Sequence, residues 1–476
     1  MKINKYLTSI LFAGTLFTGC SDDFLDVEGK NILTKEQVTS SPIATNGVID
    51  GIFASFRSFG IGGVSSHVDY GHKGVISALD IMGEDIAMYK FHWMGYFYNY
   101  LGRTTTNSRS KILWNTYYTQ AGQANSIILS IDDSDNASKN LLGQAYFYRA
   151  FSYFNLARIF GPTYVGHEND KSIPIYLDDS KEGNPRSTNK EVYEVILSDL
   201  KKAKSLLNGY QRNTKEKVNE DVVTYLLANV YLEMGDYQLA AQSADELIGK
   251  YNLMDETEWL SGFSNISNTE CIWGADITSE TSTSYASFFS HFDNGGSGYA
   301  GALAVYKLMN KRLYEKISDT DYRKKAFADA SSDVPYKSLK FKDPGGFEGD
   351  YIYMRISEMY FVSAEAKARL NNGDAAQVLY NIVSKRDPNY QMSQNTGNDL
   401  IEEIITQKRI EMWGEGVHWF DLKRLKKGIT RDYDGTNHLE SARLNLSMDS
   451  PSFLFQIPED EINSNNNINA GDQNPN

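Results

Sequence analysis

Cysteine is nearly absent from this chain: Cys20 and Cys271 are the only two in 476 residues. A disulfide framework is therefore not expected, and Cys271, set in ECIW, reads as a small buried hydrophobe. Histidine is scarce as well. The seven present include no H-E-x-x-H pair of a metal hydrolase. His67, Asp69 and His72 lie close in sequence, with Asp80, Glu84 and Asp85 following, but their spacing reads as structural. Gly60-Ile61-Gly62-Gly63 lacks the lysine of a phosphate loop, and no G-x-S-x-G nucleophile elbow occurs. Basic blocks are missing too: 47 Lys and Arg face 61 Asp and Glu, a formal charge of −14. That balance argues against nucleic acid as a partner. After the first twenty residues no apolar run approaches the ~20 needed to span a membrane. No catalytic residue, metal or cofactor is expected from these patterns.

What is present begins at the N-terminus. Lys2 and Lys5 precede the apolar stretch Tyr6 to Phe17, followed by Thr18, Gly19 and Cys20. Residues 1–19 read as a secretory signal, ordinary or of the lipoprotein kind. The compact order LFTGC favours the second, which makes Cys20 a lipid-attachment residue whose acyl chains anchor the protein to a membrane. Residues 20–38 would then be a tether and 39–476 the folded part, long enough for two or more packed units.

Helical periodicity dominates that part. KILWNTYYTQAGQANSIILSI places Ile112, Tyr117, Ala121, Ala124 and Ile128 at helical spacing. A second helix runs from about Lys139 to Phe160, stopped by Gly161-Pro162, and mixes Ala145, Ala150 and Ala157 with aromatics. Small positions there should let a neighbouring helix approach. After a helix over 189–207, NEDVVTYLLANVYLEMGDYQLAAQSADELIGK gives a helix, a tight turn at MGD and a second helix. YMRISEMYFVSAEAKARLNNGDAAQVLYNIVSKRD repeats the layout, with Ala364, Ala368, Gly373 and Ala375 in comparable places. Both resemble tetratricopeptide repeats, although a plain helical hairpin shares part of the pattern. Further helices lie within 398–427, with a turn at Gly414-Glu415-Gly416. The fold class is thus mainly α: a tetratricopeptide-like frame over about 111–250 and 351–427. Loop-rich, short-strand segments over about 51–110 and 255–350 are grafted onto it. ECIWGADI reads as a strand, and FLFQIP as a strand-like stretch before an Asn-rich tail.

Aromatics are plentiful, with 31 Tyr, 23 Phe and 6 Trp. Trp114, Trp273, Trp413 and Trp419 lie on periodic or strand-like runs and read as core. Those in the loop-rich segments are candidates for ligand contact. A sugar ring offers an apolar C–H face to an aromatic side chain, and its hydroxyls need polar partners. In HWMGYFYNY the candidates are Trp93, Tyr96, Tyr98 and Asn99, with Arg103 nearby. In the second segment they are Tyr285, Phe288, His291 and Asn294.

Four stretches carry a family likeness. They are AYFYRAFSYFNLARIFG (145–161), YMRISEMYFVSAEAKAR (353–369), KRIEMWGEGVHWFDLKR (408–424) and FLFQIPEDEINSNNNI (453–468). The second holds Arg355, Glu358 and Ala364-Glu365-Ala366. The third holds Arg409, Glu411, Glu415, Gly416, Trp419, Phe420, Asp421 and Arg424, with His418 where arginine is commoner. The fourth has Gln456 and Asn467 where proline is usual. Together they resemble the SusD/RagB family of outer-membrane nutrient-binding lipoproteins of Bacteroidota. The resemblance implies a SusD-like helical fold, lipid anchoring in the outer membrane and an outward-facing position. It also implies a non-catalytic role, capturing glycans (peptides in some members) for a SusC-type TonB-dependent transporter. The acidic Ser21-Asp22-Asp23 after the cysteine resembles a surface-export signal. The matched motifs do not reveal the ligand. A surface glycoside hydrolase or a protein-interaction scaffold remains as a reading from another class.

Overall fold

The computed structural model describes residues 42–178, 180 and 182–476. Cys20, the signal stretch 1–19 and the tether 20–38 lie outside the described residues. The frame is built from helices α1 (Pro42–Ser55), α2 (His72–Met82), α3 (Ser108–Ser130), α4 (Asn136–Phe160), α5 (Asn189–Leu206), α6 (Glu220–Met234) and α7 (Tyr237–Leu247). It continues with α8 (Ile356–Arg369), α9 (Ala375–Arg386), α10 (Gly397–Glu411) and α11 (His418–Arg424). From α3 to α7 each helix packs on the next, and α7 then packs on α8, which also holds α9 and α10. The two hairpins read from the sequence as repeats therefore stack directly, although the whole 255–350 segment separates them in the chain.

Local chemistry explains the helix ends. Asp135 caps α4 by accepting from the amides of Ala137 and Ser138, and Thr188 and Glu191 form a reciprocal capping box at α5. In the MGD turn Gly235 takes the left-handed conformation that ends α6, and Asp236 caps α7. The second hairpin differs. Its left-handed residue is Asn371, not Gly373, and the Asn372 amide closes back on the Lys367 carbonyl. α4 is buried on nearly all sides, so its apolar residues show little amphipathic pattern. Ala145, Ala150 and Ala157 are all buried within it, and a Cβ on Gly143 would meet Leu207 at 2.6 Å. The small positions do admit a close neighbour.

Three expectations need refinement. The 51–110 segment is loop over most of its length, as expected, but it is not loop alone. It holds the end of α1 and all of α2, every residue of which is buried. α2 is reached through Gly71 at φ 77, where a Cβ would lie 2.2 Å from the Phe56 carbonyl oxygen. Its polar residues Lys73, Ser77 and Asp80 fall at helical spacing, but that stripe is turned inward with the rest of the helix. Second, residues 353–355 do not begin a helix. They end strand β4 (Tyr351–Arg355), antiparallel to β2 (Cys271–Ala275), the strand read from ECIWGADI. Third, FLFQI forms no strand: Phe453 ends a 3-10 turn (Pro451–Phe453), and in the extended stretch after it Phe455 and Gln456 donate to the carbonyls of Ile159 and Arg103. The tail's asparagines satisfy backbone groups: Asn465 donates to Asn184, Asn467 to Gly183, and Asn474 to Phe160 and Phe455. Two further short pairs are β1 (Ile86–Met88) with β3 (Lys307–Met309) and β5 (Ile429–Thr430) with β6 (Asn445–Leu446). Trp114, Trp273, Trp413, Trp419 and Cys271 are all core residues, as expected.

Arg355, Glu358, Glu365, Glu411 and Asp421 of the family-like motifs are buried. Arg355 bonds Glu270 at 2.7 Å, Glu411 at 2.8 Å and Glu415 at 2.7 Å. Arg323 and Arg386 each reach Glu411 at 3.1 Å, and Lys340 reaches Glu415 at 2.6 Å. Nearby, Lys408 bonds Asp421 at 2.8 Å, and Arg424 joins Asp421 and Glu365. These ties fasten the turn between α10 and α11 to β2, β4, α8 and α9.

Some interior lysines are less well matched. Lys307, whose ammonium donates to the Val305 carbonyl, is pulled down to about 7 by burial, and burial pulls Lys73 down to about 8. In the unfolded chain both hold their protons to about the ordinary lysine value of 10.5. Between these pH values the unfolded state binds more protons, so stability rises with pH, by up to about 1.4 kcal/mol per pH unit per lysine. The denaturation midpoint should therefore climb from pH 7 toward pH 9, and Lys307→Met should flatten that climb. An unchanged slope in the variant would contradict the assignment.

Candidate functional site

The pairing of β1 with β3 brings together two loops distant in sequence. Tyr89 follows β1, and its amide donates to the Tyr306 carbonyl at 3.0 Å. The two tyrosine rings lie 5.6 Å apart. Further along, Trp93 meets Tyr299 at 4.2 Å between ring centroids. From that contact a strip of rings extends both ways. One arm runs to His67, 5.0 Å from Trp93, and on to Phe59 at 6.1 Å. The other runs from Tyr299 to Tyr285 at 5.5 Å and to Phe347 at 5.2 Å. Phe59 is 45 % exposed and Tyr285 49 % exposed, Trp93 and Phe347 are half-buried, and Tyr299 is buried between them. Beside the strip Phe91 and Tyr96, both exposed, touch at 5.2 Å, with the Arg109 guanidinium 4.2 Å over Tyr96. A contiguous exposed aromatic patch of this kind marks an interaction surface.

Its support is specific. The Tyr299 hydroxyl hydrogen-bonds His67 Nδ1. Behind it, His291 is held neutral: burial and then Lys307 push it down to about 3. Its Nε2–H donates to the His67 carbonyl at 2.9 Å. Phe347 sits at φ 59 and Ser284 at φ 51, left-handed conformations that non-glycine residues adopt where the surroundings enforce them. At Phe347 the enforcement is visible. Asp343 accepts from the amides of Phe347 at 2.8 Å and Gly349 at 3.0 Å. The Ser282 hydroxyl, from the loop of Tyr285, donates to the Phe347 carbonyl at 3.0 Å.

Of the residues singled out in the sequence, Trp93, Tyr96 and Tyr285 lie on this surface. Asn99 is half-buried, at the end of the single-turn helix Gly95–Tyr98. Five others face inward and are corrected here. Tyr98 is buried with its hydroxyl on His438. Arg103 donates to the carbonyls of Pro451 and Leu454. Phe288 stacks on Phe292 at 4.7 Å, and His291 supports the His67 loop. Asn294 bonds the backbone of Lys307 and Ser338. The physical reason is common to them: a loop between two short strands needs its own buried rings and backbone partners. In sequence these residues look the same as ligand-facing ones.

The sequence reading missed Phe59, Tyr299 and Phe347, and took His67 for a structural loop residue. The available signal was an aromatic bracketed by glycines, GGSGYAG and PGGFEG. His67, Asp69 and His72 do not converge. Asp69 accepts from the Gly62 amide, and burial raises it to about 6. His72 instead bonds the Tyr117 hydroxyl at 2.8 Å. Among the described residues the acidic and histidine side chains that do converge are Glu84, Asp85 and His418. There Arg409 already supplies the cation, bonding both carboxylates.

Comparison with known proteins gives consistent matches. A family model described as "Starch-binding associating with outer membrane" matches residues 23–232, and one described as "SusD family" matches 269–476. A SusD-like protein of Formosa agariphila is 25% identical over 98% of this chain and 99% of its own length. Among solved structures, a SusD-like carbohydrate binding protein from Bacteroides vulgatus superposes with a TM-score of 0.81 at 24% identity, covering 92% of this chain and 98% of its own. Surface glycan-binding protein A from Bacteroides thetaiotaomicron, solved with laminarihexaose, gives a TM-score of 0.70 at 17% identity, covering 90% of this chain and 98% of its own.

Proposed function

The chain belongs to the SusD family, and from that premise we propose that it is a non-catalytic, cell-surface glycan-binding lipoprotein. It captures oligo- or polysaccharide and delivers it to a partner TonB-dependent outer-membrane transporter. The observation that carries the reading is the strip from Phe59 to Phe347. Its exposed rings offer stacking surfaces for successive sugars, and its buried Tyr299 and His291 hold the rings in place. The glycan complex of a protein with the same fold supports this use of the scaffold. Beneath the strip, Asp343 and Asp293 spend their oxygens on backbone amides and so brace the loops that carry the rings. Cys20 carries the lipid in this account, and among the described residues no helix is long and apolar enough to cross a membrane.

A glycan and peptide array probed with the purified protein tests the proposal. Glycan binding that is lost in Trp93→Ala/Tyr285→Ala, with an unchanged circular dichroism spectrum, is the expected result. Peptide binding alone would move the protein to the peptide-uptake branch of the family. Turnover of a bound glycan would establish the hydrolase reading instead.

A further inference from the structure

The two ends of the aromatic strip differ in charge. Near Trp93 and Tyr96 stand Lys90, exposed, and Arg109, stacked on Tyr96. Near Tyr285 and Phe347 the exposed charges are mainly carboxylates; exposed Lys342 on the same turn spends its ammonium on the Leu260 carbonyl. Glu348 follows Phe347 directly, and its Oε1 lies 3.0 Å from where a Cβ on Gly346 would be, so it folds back over the turn that presents the ring. Ser282 ties this turn to the loop of Tyr285. Glu348 shares a surface groove with Asp276, Asp350, Gly345 and Gly346. Asp350 is committed to the amides of Ile266 and Ile277. The Glu348 and Asp276 carboxylates, by contrast, have no side-chain partner among the described residues, and exposed Glu280 adds a third charge on the adjoining loop. Asp350 is raised by burial, lowered in part by the Ile266 and Ile277 amides, and raised again to a lesser extent by Asp276 and Glu216.

We infer that the Tyr285–Phe347 end selects for uncharged sugar residues, with Glu348 and Asp276 rejecting uronate- or sulfate-bearing glycans. The inference rests on the glycan-capture reading above and narrows its ligand class. A neutral pyranose can stack on the rings and donate its hydroxyls to these carboxylates. An anionic residue at the same place meets like charges in water-exposed geometry. Discrimination of roughly three- to ten-fold is the scale for such exposed pairs acting together. Because the Debye length falls from about 10 Å at 0.1 M salt to about 3 Å at 1 M, the discrimination should fade as salt rises.

The test is an array of neutral, uronate-bearing and sulfated oligosaccharides, probed with wild type and Asp276→Asn/Glu348→Gln at low and high salt. Both substitutions are at exposed or surface-groove positions and leave the core untouched. Expected is a preference for neutral members in the wild type, together with a several-fold gain of acidic over neutral binding in the variant. Added salt should produce a similar narrowing in the wild type. Wild-type preference for acidic members, or an acidic-to-neutral ratio unchanged by the double substitution, overturns the inference while leaving glycan capture standing. Binding to no glycan of either charge overturns the capture reading, and this inference falls with it.

Discussion

Glu411→Gln is expected to destabilise the protein by about 3–5 kcal/mol, the usual scale for breaking a buried ion pair from one side. Glu411 is fully buried and accepts from Arg323, Arg355, Arg386 and the Trp259 indole. Burial alone would raise its carboxyl, but the guanidinium groups of Arg386, Arg355 and Arg323 hold it well below the usual carboxylate range. Within this network Arg323, Arg355, Arg386 and Lys340 balance Asp321, Glu270, Glu411 and Glu415. The amide keeps the shape and removes one negative charge, leaving a buried surplus cation. A urea midpoint close to that of wild type would contradict this account. The same network sets acid sensitivity. Glu415 is raised by burial but drawn down to about 2 by Arg355 and Lys340. Its contribution is therefore present above the unfolded value of 4.5 and is lost as pH falls toward 2.

Trp93→Ala should weaken glycan binding by about 30-fold or more, the scale of a central aromatic hot spot worth at least about 2 kcal/mol. Trp93 sits mid-strip, where His67, His92 and Tyr299 all contact its ring. Because that ring also packs against the core, loss of binding could reflect a disturbed loop. Tyr285→Ala removes a half-exposed ring at one arm and separates the two cases. It should reduce affinity by a smaller factor with the thermal midpoint unchanged. Titration calorimetry with a glycan chosen from the array measures both. Equal affinities for wild type and both variants would remove the strip from the binding account.

The helical frame was legible because its signals are local. Asp135, Thr188 and Asp236 mark helix starts, Gly161-Pro162 stops α4, and the MGD turn places a left-handed glycine before a cap. α2 was not: its stripe of Lys73, Ser77 and Asp80 is short, follows a glycine-rich run and is itself buried. The family-like motifs announced the fold, yet Arg355, Glu411 and Asp421 look like ordinary helix-surface charges until the packing turns them inward. Part of the site was readable: Trp93, Tyr96 and Tyr285 are aromatic, lie in loop-rich segments and are exposed in part or in full. Tyr98, Phe288 and His291 share that description in sequence, and nothing local distinguishes a ring facing solvent from one that braces the loop. The strip itself depends on the β1–β3 pairing, a contact between segments far apart in the chain. That juxtaposition brings Tyr299 beneath Trp93, and no short-range pattern encodes it.

The most direct measurement is a crystal structure of the protein soaked with an oligosaccharide that binds on the array. The account predicts a pyranose ring stacked on Trp93 and further sugar units along Tyr285 and Phe347, with the side chains of Tyr299 and His291 unmoved. An oligosaccharide bound elsewhere on the protein, with the strip from Phe59 to Phe347 bare, would contradict it.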